Sequence, residues 1–137
     1  MAKRRSVPPT GRLILDAGAV IALARRDARA RATVAVAIEE GADVSIPSVV
    51  VAEAVRGRAL DAPVNTVLRA VGAIDVVDER VGRTAGQLLG TAASSATIDA
   101  LVVATAVEAG GAMVLTGDVA DLRALAARHA EVIIAAL

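Results

Sequence analysis

The sequence predicts an α/β fold in which a mostly parallel sheet of about five strands is covered by helices on both faces. The chain has 137 residues, a length that fits one domain with a single core. It contains five short runs rich in β-branched and aliphatic residues, each of strand length. Longer helical stretches separate these runs, and such alternation is typical of parallel strands joined by right-handed crossovers.

The predicted strands are nearly all apolar, as expected where helices cover both faces of a sheet. They lie at 13–15, 44–47, 74–77, 112–115 and 132–134. Helices are predicted at 18–26, 30–40, 48–60, 62–71, 79–92, 97–109 and 119–129. Pro63 at a helix start and Gly41 after a helix end support these bounds. Residues 1–11 are basic and contain adjacent prolines, which predicts a flexible N-terminal arm before a single domain at 12–137.

Composition excludes several kinds of chemistry. The chain has no Cys, Phe, Trp or Tyr, so it has no cysteine ligand or nucleophile and no aromatic ring on which bases could stack. Lys3 is the only lysine and His129 the only histidine, which excludes a P-loop lysine and leaves no histidine pair for a metal site. The formal net charge is zero, so any nucleic-acid contact must come from local clusters. No membrane helix or signal peptide is expected. A cytoplasmic location is expected instead.

Four acidic residues stand where an ordinary domain would favour apolar side chains. Asp16 and Asp118 each follow a predicted strand, so both belong to the sheet edge where ligands bind in open α/β folds. Glu53 lies at helical spacing from apolar residues, and Asp99 begins a very apolar helix. Simpler interpretations stay open. Asp16 and Asp118 could be N-caps, Glu53 could pair with Arg56 or face solvent, and Asp99 could simply favour the helix dipole.

All four carboxylates can meet at one edge of one sheet. Carboxylates that lie so near one another repel unless a cation neutralises them. Mg²⁺ and Mn²⁺ prefer oxygen ligands. The sequence therefore predicts a divalent-metal site made by Asp16, Glu53, Asp99 and Asp118.

At these positions the sequence resembles the PIN domain family. The segments that carry the resemblance are LILDAGAVIAL, IPSVVVAEAVRG, TIDALVVATA and VLTGDVADL, in that order along the chain. The likeness extends from about residue 12 to the end, and in particular to the single-domain PIN ribonucleases of VapC-type toxin–antitoxin pairs. It implies a three-layer α/β/α sandwich, hydrolysis of RNA phosphodiester bonds with Mg²⁺ or Mn²⁺, and inhibition by a small antitoxin protein.

The resemblance also implies roles for individual residues. The positions expected to bind metal and carry catalysis match Asp16, Glu53, Asp99 and Asp118. Thr116 and Asp121 match supporting positions in the last motif. Ala96 departs from the pattern, because relatives in this subgroup often carry a further acid there, one helical turn before the third aspartate. Whether one or two metal ions bind is therefore left open.

Arginine clusters and Ala-rich helices suggest partners. Arg25, Arg26 and Arg56 are expected to contact RNA phosphates, although an exposed helix face or loop would also explain them, Arg25 and Arg26 especially. Ala-rich helices allow close packing, which predicts a homodimer and an antitoxin groove between helices 18–26 and 48–60. Two rival functions stay open: a PIN nuclease outside any toxin–antitoxin pair, and a PIN-like scaffold without catalysis that binds protein or RNA.

Overall fold

The computed structural model describes residues 11–137. Its central sheet has five parallel strands in the order β3-β2-β1-β4-β5. The strands are β1 Arg12–Leu15, β2 Asp43–Pro47, β3 Ile74–Asp75, β4 Ala112–Thr116 and β5 Val132–Ala136. The predicted N-terminal arm lies outside the described residues, apart from Gly11.

Helices connect every pair of successive strands, as parallel pairing requires. They are α1 Ala17–Ala24, α2 Ala28–Glu39, α3 Ser48–Ala54, α4 Ala62–Val71, α5 Glu79–Ala92, α6 Thr97–Glu108 and α7 Val119–Leu125. Helix α1 packs against α2, α3 and α4, and helices α5, α6 and α7 pack on one another. With right-handed crossovers the two groups cover opposite faces of the sheet. The predicted three-layer α/β/α sandwich with a parallel sheet of five strands is confirmed.

The core consists of strand residues and the interior faces of the helices. Leu13, Ile14 and Leu15 of β1 are fully buried, because β1 is the central strand and helices cover both of its sides. Helix α6 is buried almost throughout its middle, from Ala100 to Ala106. Any side chain at the start of α6 is therefore held against a rigid support.

Two predicted helices end earlier than expected. The helix predicted at 48–60 ends at Ala54, because Val55 is extended and Gly57 adopts a left-handed φ of 76°. A short 3₁₀ turn, Ala59–Asp61, then leads into α4. The helix predicted at 119–129 ends at Leu125, where the chain turns back towards β5.

Among residues 11–137, no single helix has the length and apolar character needed to cross a bilayer. Helices α5 and α6 meet that test only as a pair, joined across a bend of 117°.

Candidate active site

The candidate site lies where the strand order reverses direction. From β1 the chain adds β2 and β3 on one side, then returns to place β4 on the other side of β1. The connections after β1 and β4 therefore leave in opposite directions and open a crevice at the carboxyl ends of these strands. Leu15 and Leu115 are paired in register, so the residues that follow them lie at the same level of this crevice.

Asp16 follows β1 and is buried, with 7% of its surface exposed. One carboxylate oxygen, Oδ1, accepts a hydrogen bond from the backbone N–H of Ala19 at 3.3 Å and so caps α1. The other, Oδ2, accepts a hydrogen bond from the hydroxyl of Thr116 at the end of β4. Burial raises the pKa of Asp16, although the bond from Thr116 opposes that effect. The N-cap interpretation is thus correct, and it also orients the carboxylate into the crevice.

Thr116 ties the two strand ends together. Its side chain is fully buried, and its hydroxyl donates to Asp16 while accepting the backbone N–H of Asp118 at 2.8 Å. A hydroxyl is the only small side chain that can donate in one direction and accept in another at this position. The loop after β4 is therefore fixed relative to the first carboxylate.

Asp118 occupies the N-cap position of α7, but its side chain makes no capping hydrogen bond. The carboxylate is exposed, and its negative charge contributes to raising the pKa values of Asp16, Glu53 and Asp99. The simple N-cap interpretation therefore does not account for this side chain. Its position instead adds charge to the crevice.

Asp99 is the third residue of α6 and is half-buried. Burial, the largest cause, and the negative charges of Asp118, Asp121, Asp16 and Glu53 together raise its pKa to about 6. Each of these acids is thus close enough to Asp99 to disfavour its ionised form.

Glu53 lies on α3 and is exposed, whereas the sequence pattern placed it on an apolar face. Partial burial and the charges of Asp16 and Asp118 raise its pKa, while Arg56 lowers it. The expected pairing of Arg56 with Glu53 takes a different form. The Nη1 atom of Arg56 donates to the backbone carbonyls of Ala52, Glu53 and Val55, each at 3.0 Å, and so caps the end of α3.

The cluster supplies only oxygen donors, the type that Mg²⁺ and Mn²⁺ select. As the side chains stand, no three acids or histidines within residues 11–137 are grouped closely enough to hold a metal ion. The carboxylates of Asp99 and Asp118 accept no hydrogen bond from the described part of the chain, so both are free to rotate towards a cation. The donor set therefore fits a hard divalent cation, which would also relieve the mutual repulsion of the acids.

The predicted RNA-binding arginines face two different surfaces. Arg25 lines a pocket beside Glu53 together with Arg56. Arg26 has a left-handed φ of 61° and lines a separate groove beside α2 and α4. Ala96, where relatives often have an acid, is half-buried at the start of α6, and its N–H donates to the hydroxyl of Ser94 at 3.1 Å.

Sequence reasoning missed Asp61, which lies next to this site. Its side chain is 7% exposed and accepts three backbone hydrogen bonds from the loop that follows α3. The available signal was Gly57, a helix breaker inside a stretch predicted to be helical.

Replacing Gly18 with Ala is expected to destabilise the fold at the crevice. An added Cβ would lie 3.3 Å from the backbone nitrogen of Gly117 and 3.5 Å from Oδ1 of Asp16, so the two strand-end loops would have to separate. Overpacking of this kind costs about 1–3 kcal/mol. The control is Gly82→Ala on α5, where the added Cβ meets nothing within 4 Å. There the change should stabilise the helix by up to about 1 kcal/mol. Urea unfolding measures both effects, and a loss no larger for Gly18→Ala than for the control would contradict this account.

Comparison with known proteins agrees with this architecture. The sequence matches the family model for the PIN domain over residues 13–128. Because that match spans most of the chain, the protein belongs to the PIN domain family. A search of curated proteins by sequence found no match.

Three solved structures share the fold at low sequence identity. VapBC2 from Rickettsia felis, bound to a DNA fragment from its promoter, has a TM-score of 0.71 at 12% identity, over 92% of this chain and 98% of that one. A toxin–antitoxin complex from Klebsiella pneumoniae has a TM-score of 0.66 at 16% identity, and the match covers 88% of this chain and 95% of that one. FitAcB from Neisseria gonorrhoeae has a TM-score of 0.64 at 24% identity, and the match covers 90% of this chain and 96% of that one.

Proposed function

We propose that this protein is a metal-dependent endoribonuclease that acts as the toxin of a type II toxin–antitoxin pair in the cytoplasm. The observation that carries the proposal is the cluster of coupled carboxylates at the sheet crevice, with Asp16 held there by Thr116. Membership of the PIN family supports nuclease activity. Similarity of fold to VapBC2 and to the Klebsiella pneumoniae toxin–antitoxin complex supports the biological role.

The proposed role of each acidic residue follows from its environment. Asp16 is buried and fixed from two sides, so it would provide the rigid metal ligand. Asp99, Glu53 and Asp118 would complete the ligand set, and Asp121 adds negative charge next to Asp99. A bound Mg²⁺ or Mn²⁺ ion supplies a water of lowered pKa and offsets charge on the leaving oxygen. Because the pKa of Asp99 is raised to about 6, this carboxyl is ionised and able to bind a cation above that pH.

A metal titration tests the reaction. Purified protein stripped with EDTA is expected to leave single-stranded RNA intact, and cleavage should return on addition of Mg²⁺ or Mn²⁺. The concentration of metal needed for half-maximal cleavage should rise as pH drops below about 6, because protons then compete with the cation for Asp99. Equal cleavage in EDTA would contradict the proposed metal dependence. A folded protein that never cleaves RNA would favour the scaffold alternative.

The antitoxin is proposed to occupy an apolar groove between α2 and α4. The groove has a volume of about 840 Å³ and is larger than the pocket beside Glu53, where the antitoxin helix was expected. Its lining includes Val34, Ile38 and Val67, with Arg26 and Arg31 at its rim. The apolar face of an amphipathic helix that carries acidic residues at its edges would complement this surface. Co-purification of a small protein from the native host would support this partner, and its absence would favour a PIN nuclease outside a toxin–antitoxin pair.

A homodimer is proposed on the grounds of the high apolar content, 55% of residues, and of the Ala-rich helices. Light scattering coupled to size exclusion would give twice the mass of the 13.7 kDa chain if the protein dimerises.

A further inference from the structure

The loop at residues 55–61, between α3 and α4, is organised by a single buried carboxylate. One oxygen of Asp61, Oδ2, accepts the backbone N–H groups of Arg56 at 2.8 Å, Gly57 at 2.6 Å and Arg58 at 3.0 Å. These bonds lower the pKa of Asp61, since they favour its ionised form. A loop with three consecutive N–H groups on one oxygen has little freedom to move, so the side chains it carries are presented in fixed directions.

The loop presents Leu60, which is 81% exposed and contributes nothing to the core. Leu60 forms one wall of a pocket of about 380 Å³, with Ile21 of α1 and Pro63 of α4 also among its lining residues. Glu53 lines the same pocket, so the pocket adjoins the carboxylate cluster through this one member. A rigidly held, exposed leucine beside a catalytic cluster points to contact with a bound molecule.

Basic residues outnumber acidic residues in this pocket. Arg25, Arg56 and Arg58 line it, against Glu53 and Asp61. Within residues 11–137 neither Arg25 nor Arg58 forms an ion pair, whereas Arg56 has one nitrogen committed to the end of α3. Two available guanidinium groups thus lie beside a site that repels anions. They suit the phosphates on either side of a bond that the carboxylates and their cation would cut.

We propose that this pocket binds the nucleotide adjacent to the scissile phosphate, with Arg25 and Arg58 on backbone phosphates and Leu60 against the base or sugar. Asp61 is the positioning residue that holds Arg58 and Leu60 in place. The proposal rests on the proposed ribonuclease function. RNA is favoured over a protein segment because the pocket is rimmed by arginines and joins the cluster, whereas the wider groove beside α2 is the more apolar surface. In a chain without aromatic residues, an exposed leucine is a suitable apolar contact for a base.

Binding of a labelled RNA tests the pocket. The probe is a fluorescein-labelled single-stranded RNA of mixed sequence, and the protein carries Asp99→Asn so that the probe stays intact during anisotropy measurements. Arg58→Ala and Leu60→Ala are each expected to raise the Kd about five- to tenfold. Arg58→Ala should also reduce the slope of log Kd against log salt by about 1, whereas Leu60→Ala should not. Arg69→Ala, an exposed arginine near the other end of α4, is the matched control and should change neither quantity.

Asp61→Asn tests the positioning role. It should weaken RNA binding by a similar factor, and adding Arg58→Ala to it should have little further effect, because the loop no longer presents Arg58 correctly. With Asp99 intact, Arg58→Ala and Leu60→Ala should raise KM and leave kcat nearly unchanged, a split that general loss of structure would not produce.

Wild-type RNA affinity in both Arg58→Ala and Leu60→Ala would overturn the proposal and assign the pocket to a protein partner. Both side chains are exposed, so these variants remain informative even if Asp61→Asn fails to fold. RNA binding is measured separately from cleavage. If the RNA binds and the pocket substitutions weaken its binding as expected, but no metal-dependent cleavage occurs, only the proposed ribonuclease function is contradicted. If the wild type cleaves RNA and the pocket substitutions change neither RNA binding nor cleavage, only the proposed role of the pocket is contradicted.

Discussion

Replacing Asp99 with Asn is expected to reduce RNA cleavage by at least about a hundredfold while leaving the fold intact. The substitution removes a carboxylate from the cluster and changes the side-chain volume very little. Asp99 begins a helix whose middle is buried, so the backbone around it is held by α6 rather than by the carboxylate. Circular dichroism and an RNA cleavage assay with Mn²⁺ measure the two effects. Cleavage at the wild-type rate would exclude Asp99 as a metal ligand.

The same substitution should stabilise the metal-free protein at neutral pH. Folding raises the pKa of Asp99 from 3.8 to about 6, so the folded state binds this proton more tightly than the unfolded state. The contribution of Asp99 to stability is therefore fully present below pH 3.8 and is lost as pH rises through about 6. Above that pH the Asn variant should be more stable by about 1 kcal/mol, since partial exposure screens the repulsion.

Thermal unfolding in EDTA between pH 4 and 8 measures this difference. The gain should be largest at pH 8 and vanish near pH 4. Asp43→Asn, an exposed aspartate at the start of β2 and away from the cluster, serves as the control and should show no such pH dependence. A gain that is the same at every pH would contradict the electrostatic explanation.

Replacing Thr116 with Val is expected to lower both activity and stability. Val keeps the branched shape but removes the hydroxyl that donates to Asp16 and accepts from the N–H of Asp118. Because Thr116 is fully buried, the loss should reduce the free energy of unfolding by about 1–3 kcal/mol. Cleavage should fall about ten- to a hundredfold, since Asp16 and the loop after β4 are no longer tied together.

Thr116→Ser is the matched control, because it keeps the hydroxyl and loses only a methyl group. It should retain most of the activity, with a stability loss of roughly 1 kcal/mol from the small cavity. Urea unfolding and cleavage rates compare the two variants. If Ser and Val reduced cleavage equally, the hydroxyl would have no part in holding the site.

The sequence predicted the inner strands of the sheet well because helices cover both of their faces. Strands such as VSIP and AMVL are nearly all apolar for that reason, so their positions can be identified locally. The edge strand predicted at 74–77 is limited to Ile74–Asp75, and its Ile74 is exposed. The placement of Asp16 and Asp118 followed from the strands, because a residue directly after a parallel strand lies at a known edge of the sheet. Their metal-binding and catalytic roles stay predictions.

Other features depend on contacts that local patterns do not contain. Helix α3 ends at Ala54 because Arg56 caps its carbonyls and Asp61 collects the following N–H groups. The Arg56 cap and the Asp61 hydrogen bonds form only in the folded loop. Because the spacing of apolar residues does not contain them, it predicted a longer helix. The direction of Arg26 likewise depends on its left-handed backbone, a conformation that an arginine sequence does not signal.

The bond between Thr116 and Asp16 joins residues that are 100 positions apart in the chain. A ribosome adds about 5–20 residues per second, so roughly 5–20 s separate the synthesis of the two residues. Until β4 has emerged and paired with β1, the first carboxylate has no partner across the crevice. Under the proposed function, a nascent chain in which β4 has not yet paired with β1 would lack the support that fixes Asp16, and it would not cut the RNA that encodes it. Under that function, an inhibitor already present when β4 pairs with β1 would meet the site as it first forms.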